Sequence, residues 1–149
     1  MALNLKMEID PVALRQRYFD GLAANGWNEL VTNPLVSNRY RKETTANLIN
    51  NLSEDLALLR DNMVYTGLDV IEYNHNRKNT DLRLFEFGKT YGYQNADGVG
   101  KYHEKEWIAY FLTGNAGPVH WAGKQPRAGF FTIVKEMERL AAGFGFAAD

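Results

Sequence analysis

Apolar residues at helical spacing predict a helix near the start of the chain. The residues that recur every four positions, and therefore share one helix face, are Leu14, Tyr18 and Leu22. Asp10 and Pro11 are typical of a helix N-terminus, because an aspartate oxygen accepts hydrogen bonds from free amides and proline lacks the amide that stays unpaired there. Asn25-Gly26 predicts the end of this helix, since both residues tolerate the left-handed conformation that closes helices.

Two further helices are indicated later in the chain. The apolar residues of the first, between Met63 and Tyr73, are Val64, Leu68 and Ile71. Gly67 lies among them, and because glycine inside a helix costs roughly 1 kcal/mol relative to alanine, we expect close packing against another element there. The last helix is predicted to end near Gly143. Its apolar stripe consists of Phe130, Ile133, Val134, Met137, Leu140 and Phe144.

Three segments have the composition of β-strands. Trp27–Thr32 is short and bulky, and it predicts a strand that ends before a proline. Leu82–Phe87 carries large apolar residues at both alternating sets of positions, which is typical of a central strand covered on both faces. Gln94–Lys101 indicates a hairpin connection with Asp97-Gly98 at its turn, and Trp107–Thr113 then pairs antiparallel with the central strand. The sequence therefore predicts an α+β fold, an antiparallel β-sheet flanked by helices.

The amino-acid composition excludes several classes of protein, although it does not indicate a specific function. The chain has 149 residues, which fits a single domain over 1–149. Its 17 Lys and Arg against 18 Asp and Glu leave a net charge of −1, whereas a dedicated nucleic-acid platform has a basic excess. There are no cysteines, which excludes disulfides and thiol chemistry. No apolar run is long enough to cross a membrane, so a cytosolic protein is expected.

Few residues suggest catalysis directly. His75, His103 and His120 do not have the spacing of metal ligands, and each is best interpreted as a solvated or structural residue. Glu86 is of more interest because its strand is predicted to be buried, and a buried carboxylate needs a partner or a raised pKa. Pairing with an arginine such as Arg60 is favoured over a catalytic role.

Basic residues form two clusters. The first surrounds Tyr40, and the second lies in an asparagine-rich loop. Cations next to aromatic rings can hold phosphates and stack on bases, but the near-neutral net charge favours solvated loops as the simpler interpretation. The residues of the two clusters are Arg39, Arg41 and Lys42, then Arg77 and Lys78.

Several short motifs combine into a pattern that is more specific than any one of them. Leu52–Arg60 ends in a Leu-Arg pair, and Tyr73–Lys78, with Asn74 at the end of a predicted helix, precedes the Phe-Glu-Phe-Gly strand within Leu84–Tyr91. Together with Gly26–Thr32 and Phe130–Lys135, these segments resemble the β subunit of bacterial phenylalanine–tRNA ligase (phenylalanyl-tRNA synthetase). Asn51 departs from the pattern, since that family usually has proline there.

The resemblance implies a module with the class II aminoacyl-tRNA synthetase fold that has lost catalysis, while the active copy lies in the α subunit. In that family two α and two β chains assemble into a cytoplasmic heterotetramer that charges tRNA(Phe) and uses ATP and magnesium. This segment itself is expected to bind no cofactor and no metal. Because the family's β subunit is several times longer, these residues are expected to be an incomplete fragment of a longer chain.

The resemblance also explains why the module is expected to be inactive. Active class II synthetases hold ATP through an arginine, whose planar fork matches phosphate oxygens. At that position, directly after Gly88–Tyr91, this chain has Gly92. A second class II pattern, a glycine-rich strand that ends in an arginine, is also missing from the sequence.

Three functional hypotheses follow. The favoured one is a non-catalytic module that supports assembly with the α subunit, with a candidate interface at Leu14, Tyr18, Leu22 and Leu30. The second is a catalytically active class II paralogue that activates a carboxylate with ATP, which Gly92 argues against. The third is direct contact with tRNA through the two basic clusters.

Overall fold

The structure is a computed structural model, and it describes residues 10–51, 53–96, 99–116 and 126–143. Three helices, five strands and two 3₁₀ turns follow one another in these ranges. The helices are α1 (Pro11–Ala24), α2 (Val64–His75) and α3 (Phe130–Gly143). The strands are β1 (Asn28–Glu29), β2 (Leu35–Val36), β3 (Leu58–Leu59), β4 (Leu82–Ala96) and β5 (Val99–Thr113). The 3₁₀ turns are Asn38–Tyr40 and Glu54–Leu56.

Helix α1 begins and ends where its sequence predicts. The Asp10 carboxylate accepts a hydrogen bond of 2.9 Å from the amide of Val12, and Pro11 is the first helical residue. Gly26, just beyond the helix, has φ of +76°, a conformation that residues with a Cβ atom rarely adopt. The local signals at both ends of this helix were therefore sufficient to place it.

The main sheet has the order β1-β4-β5, so the strand predicted to be central is central. β4 and β5 are antiparallel and stay in register from Leu82 opposite Thr113 to Ala96 opposite Val99. The predicted hairpin is thus confirmed, although its Asp97-Gly98 turn lies outside the described residues. The sheet predicted as antiparallel is mixed in the structure, because the two-residue β1 pairs parallel with β4.

The core lies between one face of this sheet and the helices α1 and α3. Leu22, Trp27 and Phe85 are buried at its centre. Phe19 meets Phe85 edge-on at 5.8 Å between ring centroids, and Ile133 of α3 packs against the same cluster. Apolar burial of this kind is worth about 25 cal/mol per Å², which makes these contacts the main stabilising term on this side of the sheet.

The second face of the sheet is covered by α2, although not through the residues that the periodicity selected. Val64 and Leu68 are each about half exposed, at 53% and 52%. Instead α2 buries Thr66 and Gly67, and a methyl group added at Gly67 would overlap the ring of Phe111 from β5. The expected close approach at Gly67 is confirmed, and it explains why the larger residues of the helix turn outward.

The stripe predicted for α3 is buried only in part. Ile133 contacts the core, whereas Phe130 and Met137 are exposed. Phe144 lies outside the described residues, and so does the side chain of Leu140. No helix in the described ranges has the length and apolar character needed to span a membrane.

A small second sheet connects the first half of the chain to the hairpin. β2 and β3 pair antiparallel, and Val36, Ala57 and Leu58 form a separate apolar cluster with Tyr40 against it. The amide of Tyr91 in β4 donates a hydrogen bond of 2.9 Å to the carbonyl of Arg60, directly after β3. This arrangement carries Arg60 to the main sheet.

Candidate functional site

A buried ion pair lies where the small sheet meets β4. Arg60 Nη1 donates to Glu86 Oε1 at 3.0 Å, and both side chains are only 3% exposed. The sequence-based interpretation of Glu86 as a buried carboxylate paired with Arg60 is confirmed. Taking two charges out of water is costly unless further hydrogen bonds complete them, so the surroundings of the pair decide its role.

Further hydrogen bonds surround the ion pair between Arg60 and Glu86. Thr32 donates its hydroxyl to Glu86 Oε1 at 2.8 Å and accepts from Arg60 Nη1 at 2.7 Å. Arg60 Nε donates to the carbonyl of Lys89 at 2.9 Å, and the guanidinium lies against Gly88, where a Cβ atom would overlap it. Both charges are therefore neutralised within the protein, which is typical of a structural pair and leaves neither free for a substrate.

The four residues predicted as a subunit interface lie in different environments. Leu22 is fully buried in the chain's own core, so it has no surface left for a partner in this conformation. Leu30 is half-buried, and its amide donates to the carbonyl of Phe85 at 2.7 Å. Leu14 and Tyr18 are half-buried and line a cavity of about 340 Å³ between α1 and the hairpin.

This cavity, hereafter the α1 groove, has mainly apolar walls. Besides Leu14 and Tyr18, Phe87 and Ile108 line it, and the Arg15 guanidinium lies 4.9 Å above the centre of the Phe87 ring. Lys89 and Glu106 are at its edge and form an ion pair of 3.6 Å. An apolar concavity with charges at its edge is suited to a partner with an apolar helix or side chain.

The first basic cluster is held against α2. Arg39 forms a 3.0 Å ion pair with Asp69 of α2, and Tyr40 stacks on Tyr65 at 4.2 Å between ring centroids. Lys42 pairs with Asp61 at 2.5 Å, and this contact raises the pKa of Lys42 above its ordinary value. The side chain of Arg41 donates to those of Asn38 and Asn47. All three cations of this cluster thus already have partners.

The second basic cluster lies just beyond the end of α2. The Arg77 guanidinium is 3.4 Å from the centre of the Tyr73 ring, and it donates to the Tyr73 carbonyl. Lys78 has φ of 64°, the left-handed conformation of the turn that follows the helix. The structure therefore attaches the first cluster to the body of α2 and the second to its C-terminal end.

Beyond Gly88, the hairpin extends past the core and borders a polar pocket of about 320 Å³. Gly92 of β4 is directly opposite His103 of β5, and an added Cβ at Gly92 would overlap the imidazole ring. Lys105 and Trp107 line the same pocket. These β5 residues were not predicted as a site, because the second strand was expected to begin only at Trp107; alternation through Val99–Thr113 would have placed them on one face.

Two tyrosines on the α1 side of the sheet have raised pKa values. Burial raises the pKa of the Tyr110 phenol to about 12, with a smaller contribution from Tyr18, because a phenolate is poorly solvated there. Burial also raises the pKa of Tyr18 itself. On the exposed surface, the hydrogen bond from Lys89 to Glu104 raises the pKa of Lys89.

Comparison with known proteins identifies one family. The family model described as the phenylalanyl tRNA synthetase beta chain CLM domain matches residues 9–149. Among curated proteins, the chain is 29% identical over 144 residues to the phenylalanine–tRNA ligase β subunit of Neisseria meningitidis serogroup A, covering 92% of this chain and 18% of that protein.

Two other relatives carry the same name. The chain is 34% identical over 127 residues to the β subunit from Chlorobium luteolum, which covers 76% of this chain and 15% of that protein. It is 27% identical over 128 residues to the one from Acinetobacter baylyi, covering 82% and 16%. The chain thus spans less than a fifth of the length of these curated relatives.

Proposed function

The chain belongs to the phenylalanyl-tRNA synthetase β chain family, and we propose that it is a non-catalytic, class II synthetase-like module of a phenylalanine–tRNA ligase β subunit. The family match over residues 9–149 is the observation that carries this proposal. The module supports assembly with the α subunit and with a second αβ pair. The complete ligase then charges tRNA(Phe) with phenylalanine in the cytoplasm and uses ATP and magnesium.

A structural role for the module is supported by the way its charged groups are used. Arg60 and Glu86 are buried, but each is completed by the other and by Thr32. At Gly92, where the resemblance to active class II synthetases places an ATP-binding arginine, an imidazole occupies the space above the strand. A preorganised cation at a reacting phosphate is worth about 3–4 kcal/mol of transition-state stabilisation, so its loss favours an inactive module.

Assembly with the α subunit is supported by the α1 groove. Leu14 and Tyr18 remain partly accessible there, beside Phe87 and Ile108. Leu22 anchors α1 to the core from behind, so the helix presents the groove on a rigid support. Subunit interfaces of obligate complexes are apolar at their centre, which matches this surface better than the exposed loops.

Mixing the chain with purified α subunit tests this proposal. We expect a complex at micromolar concentrations in size-exclusion chromatography with light scattering. Leu14→Arg places a charge in the α1 groove and should prevent the complex. Val31→Arg, at an exposed position outside the groove, is the matched control and should not. Melting curves of both variants verify that they remain folded; equal assembly of both would contradict the interface.

The inactivity of the module has a separate test. The chain alone should show no phenylalanine-dependent exchange of pyrophosphate into ATP, whereas the αβ complex should show it. Exchange by the chain alone would support the alternative, an active class II paralogue. Gly92→Arg restores the cation type at the phosphate position, and we expect no activity from it either, because the second class II arginine pattern is also missing from the sequence.

Contact with tRNA through the two basic clusters is a second candidate function. The stacked Tyr40 and Tyr65, with Arg39 and Lys42 over their rings, favour it. Replacing the five cations with alanine should lower tRNA affinity and reduce its salt dependence, by a slope of about 0.9 for each lost phosphate contact. Since the cations of the first cluster already have partners, we expect fewer than five contacts. An unchanged salt slope would exclude this surface. The five residues are Arg39, Arg41, Lys42, Arg77 and Lys78.

A further inference from the structure

The extended half of β5 separates its charges by face. Three basic or imidazole side chains and one indole alternate with acidic and tyrosine side chains along the strand. On one face are Lys101, His103, Lys105 and Trp107, hereafter the β5 row; on the other are Tyr102, Glu104 and Glu106. The contacts agree with this assignment, because Glu104 and Glu106 pair with Lys89 on one face while Trp107 donates to Thr90 on the other.

The Lys and His side chains of the β5 row have no partners within the described part of the chain. In the described part of the chain, the side chains of Lys101, His103 and Lys105 make no hydrogen bond and no ion pair. This contrasts with the cations of the first basic cluster, each of which is engaged by an aspartate or by asparagine side chains. Free donors on an exposed strand can therefore bind a ligand without first breaking internal contacts.

The opposing strand adds no negative charge to this face. Directly opposite the β5 row, β4 presents only neutral residues: Gln94, Gly92, Thr90 and Gly88. Asp61 also lines the pocket, but Lys42 neutralises it through the 2.5 Å ion pair. The face as a whole is positive, so it complements an anionic partner even though the complete chain has a net charge of −1.

Trp107 supplies a flat surface at the end of the row. Trp107 is 52% exposed, and the hydrogen bond of 2.8 Å from its Nε1 to Thr90 Oγ1 fixes the ring. Alternate residues of a strand are roughly 7 Å apart, so Lys105 lies about 7 Å and Lys101 about 20 Å from Trp107 along the same line. A fixed aromatic ring followed by a line of cations is the arrangement with which proteins bind unpaired nucleic acid strands.

We propose that the β5 row binds a single-stranded segment of RNA, with one base stacked on Trp107 and backbone phosphates on Lys105 and Lys101. This inference deepens the proposed role in tRNA charging by assigning an RNA contact outside the two basic clusters. His103 packs against Gly92 and lines the pocket beside the row. A nucleoside triphosphate fits less well, because Lys105 is the one lysine of the row that lines this pocket.

Binding of a short, fluorescently labelled, unpaired oligoribonucleotide to the chain, measured by anisotropy, tests the proposal. We expect Trp107→Ala to weaken binding at least about fivefold, since stacking contributes about 1–3 kcal/mol per base, and Trp107→Phe to retain most of the affinity. Lys105→Ala and Lys101→Ala should each reduce the salt slope by about 0.7. Phe131→Ala and Lys135→Ala, exposed on α3, are the matched controls.

Several outcomes of the RNA-binding experiment would overturn the proposal. The proposal is overturned if Trp107→Ala binds like the unchanged chain, if neither lysine variant changes the salt slope, or if an RNA duplex, AMP or inorganic phosphate competes as well as the unpaired strand. Because the measurement needs no α subunit, it is independent of the assembly test. Lost assembly with intact RNA binding contradicts the proposed function, and the reverse result contradicts only this site.

Discussion

The two halves of the β4–β5 hairpin use similar residue types in opposite ways. In the first half, from Leu82 to Gly88, the strand is covered on both faces, and its one carboxylate, Glu86, is completed by Arg60 and Thr32. In the second half, the charged residues pair only at the surface, as Lys89 does with Glu104, or have no side-chain partner among the described residues, as with Lys105. Burial makes an unpaired charge costly, so the covered half must satisfy every group and the exposed half need not. The covered half therefore contributes to the stability of the fold, whereas the exposed half offers charged side chains that can bind a partner.

Removal of one carboxylate from each half should give the largest difference in stability between the halves. We expect Glu86→Ala to lower the free energy of unfolding by about 3–5 kcal/mol, because it leaves the Arg60 guanidinium buried without a counter-charge. Urea denaturation at neutral pH measures this. The matched variant Glu104→Ala removes an exposed partner of Lys89 and should not measurably change the midpoint. Similar midpoints for the two variants would remove the distinction between the halves.

Alanine substitutions at two glycines should show the same contrast between the halves, with smaller changes in stability. Gly67→Ala pushes a methyl group into the packed ring of Phe111, and we expect a net loss of about 1–2 kcal/mol after the gain in helix propensity. Gly92→Ala meets the imidazole of His103, which can rotate into solvent, so its unfolding midpoint should stay close to that of the parent chain. The same urea titration compares both. A larger loss at Gly92 would mean that the exposed half is packed as tightly as the covered one.

The last expected effect is a pH dependence that is confined to high pH. Tyr110, in the covered half, has a pKa of about 12, whereas a phenol in the unfolded chain ionises near 10. Below pH of about 10 both states keep the proton. Between about 10 and 12 only the unfolded state loses it, so stability falls as the pH rises through this window. Tyr110→Phe should flatten the decline, measured by thermal melts across this range, and an equally steep decline in this variant would contradict the prediction.

Much of the fold followed from local sequence signals. Asp10, Pro11 and Gly26 placed α1 because capping depends only on neighbouring residues. The two apolar sets of Leu82–Phe87 identified the central strand, since no exposed strand needs bulky residues on both faces. The pairing of Glu86 with Arg60 followed from the cost of burying a lone carboxylate, and it is confirmed.

Local sequence signals did not decide which face of an element is buried. In α2, the larger apolar residues Val64 and Leu68 remain half exposed because the sheet needs the close approach that Gly67 allows. In α1, Leu22 had been grouped with the candidate interface, yet it lies in the chain's own core. Periodicity identifies an apolar face but does not say which neighbour covers it, so the interface itself stays a prediction.

The amino-acid sequence alone determined the main helices, the antiparallel hairpin, the buried carboxylate and the family, because each depends on residues close together in the chain or on a pattern preserved along it. Only the tertiary structure decided which apolar surfaces are buried, how Thr32 completes the hydrogen bonding of Arg60 and Glu86, and which cations have no partner within the described ranges. The physical reason is that burial and pairing are properties of surfaces. A side chain acquires them only when residues distant in sequence, such as Gly67 and Phe111, come into contact.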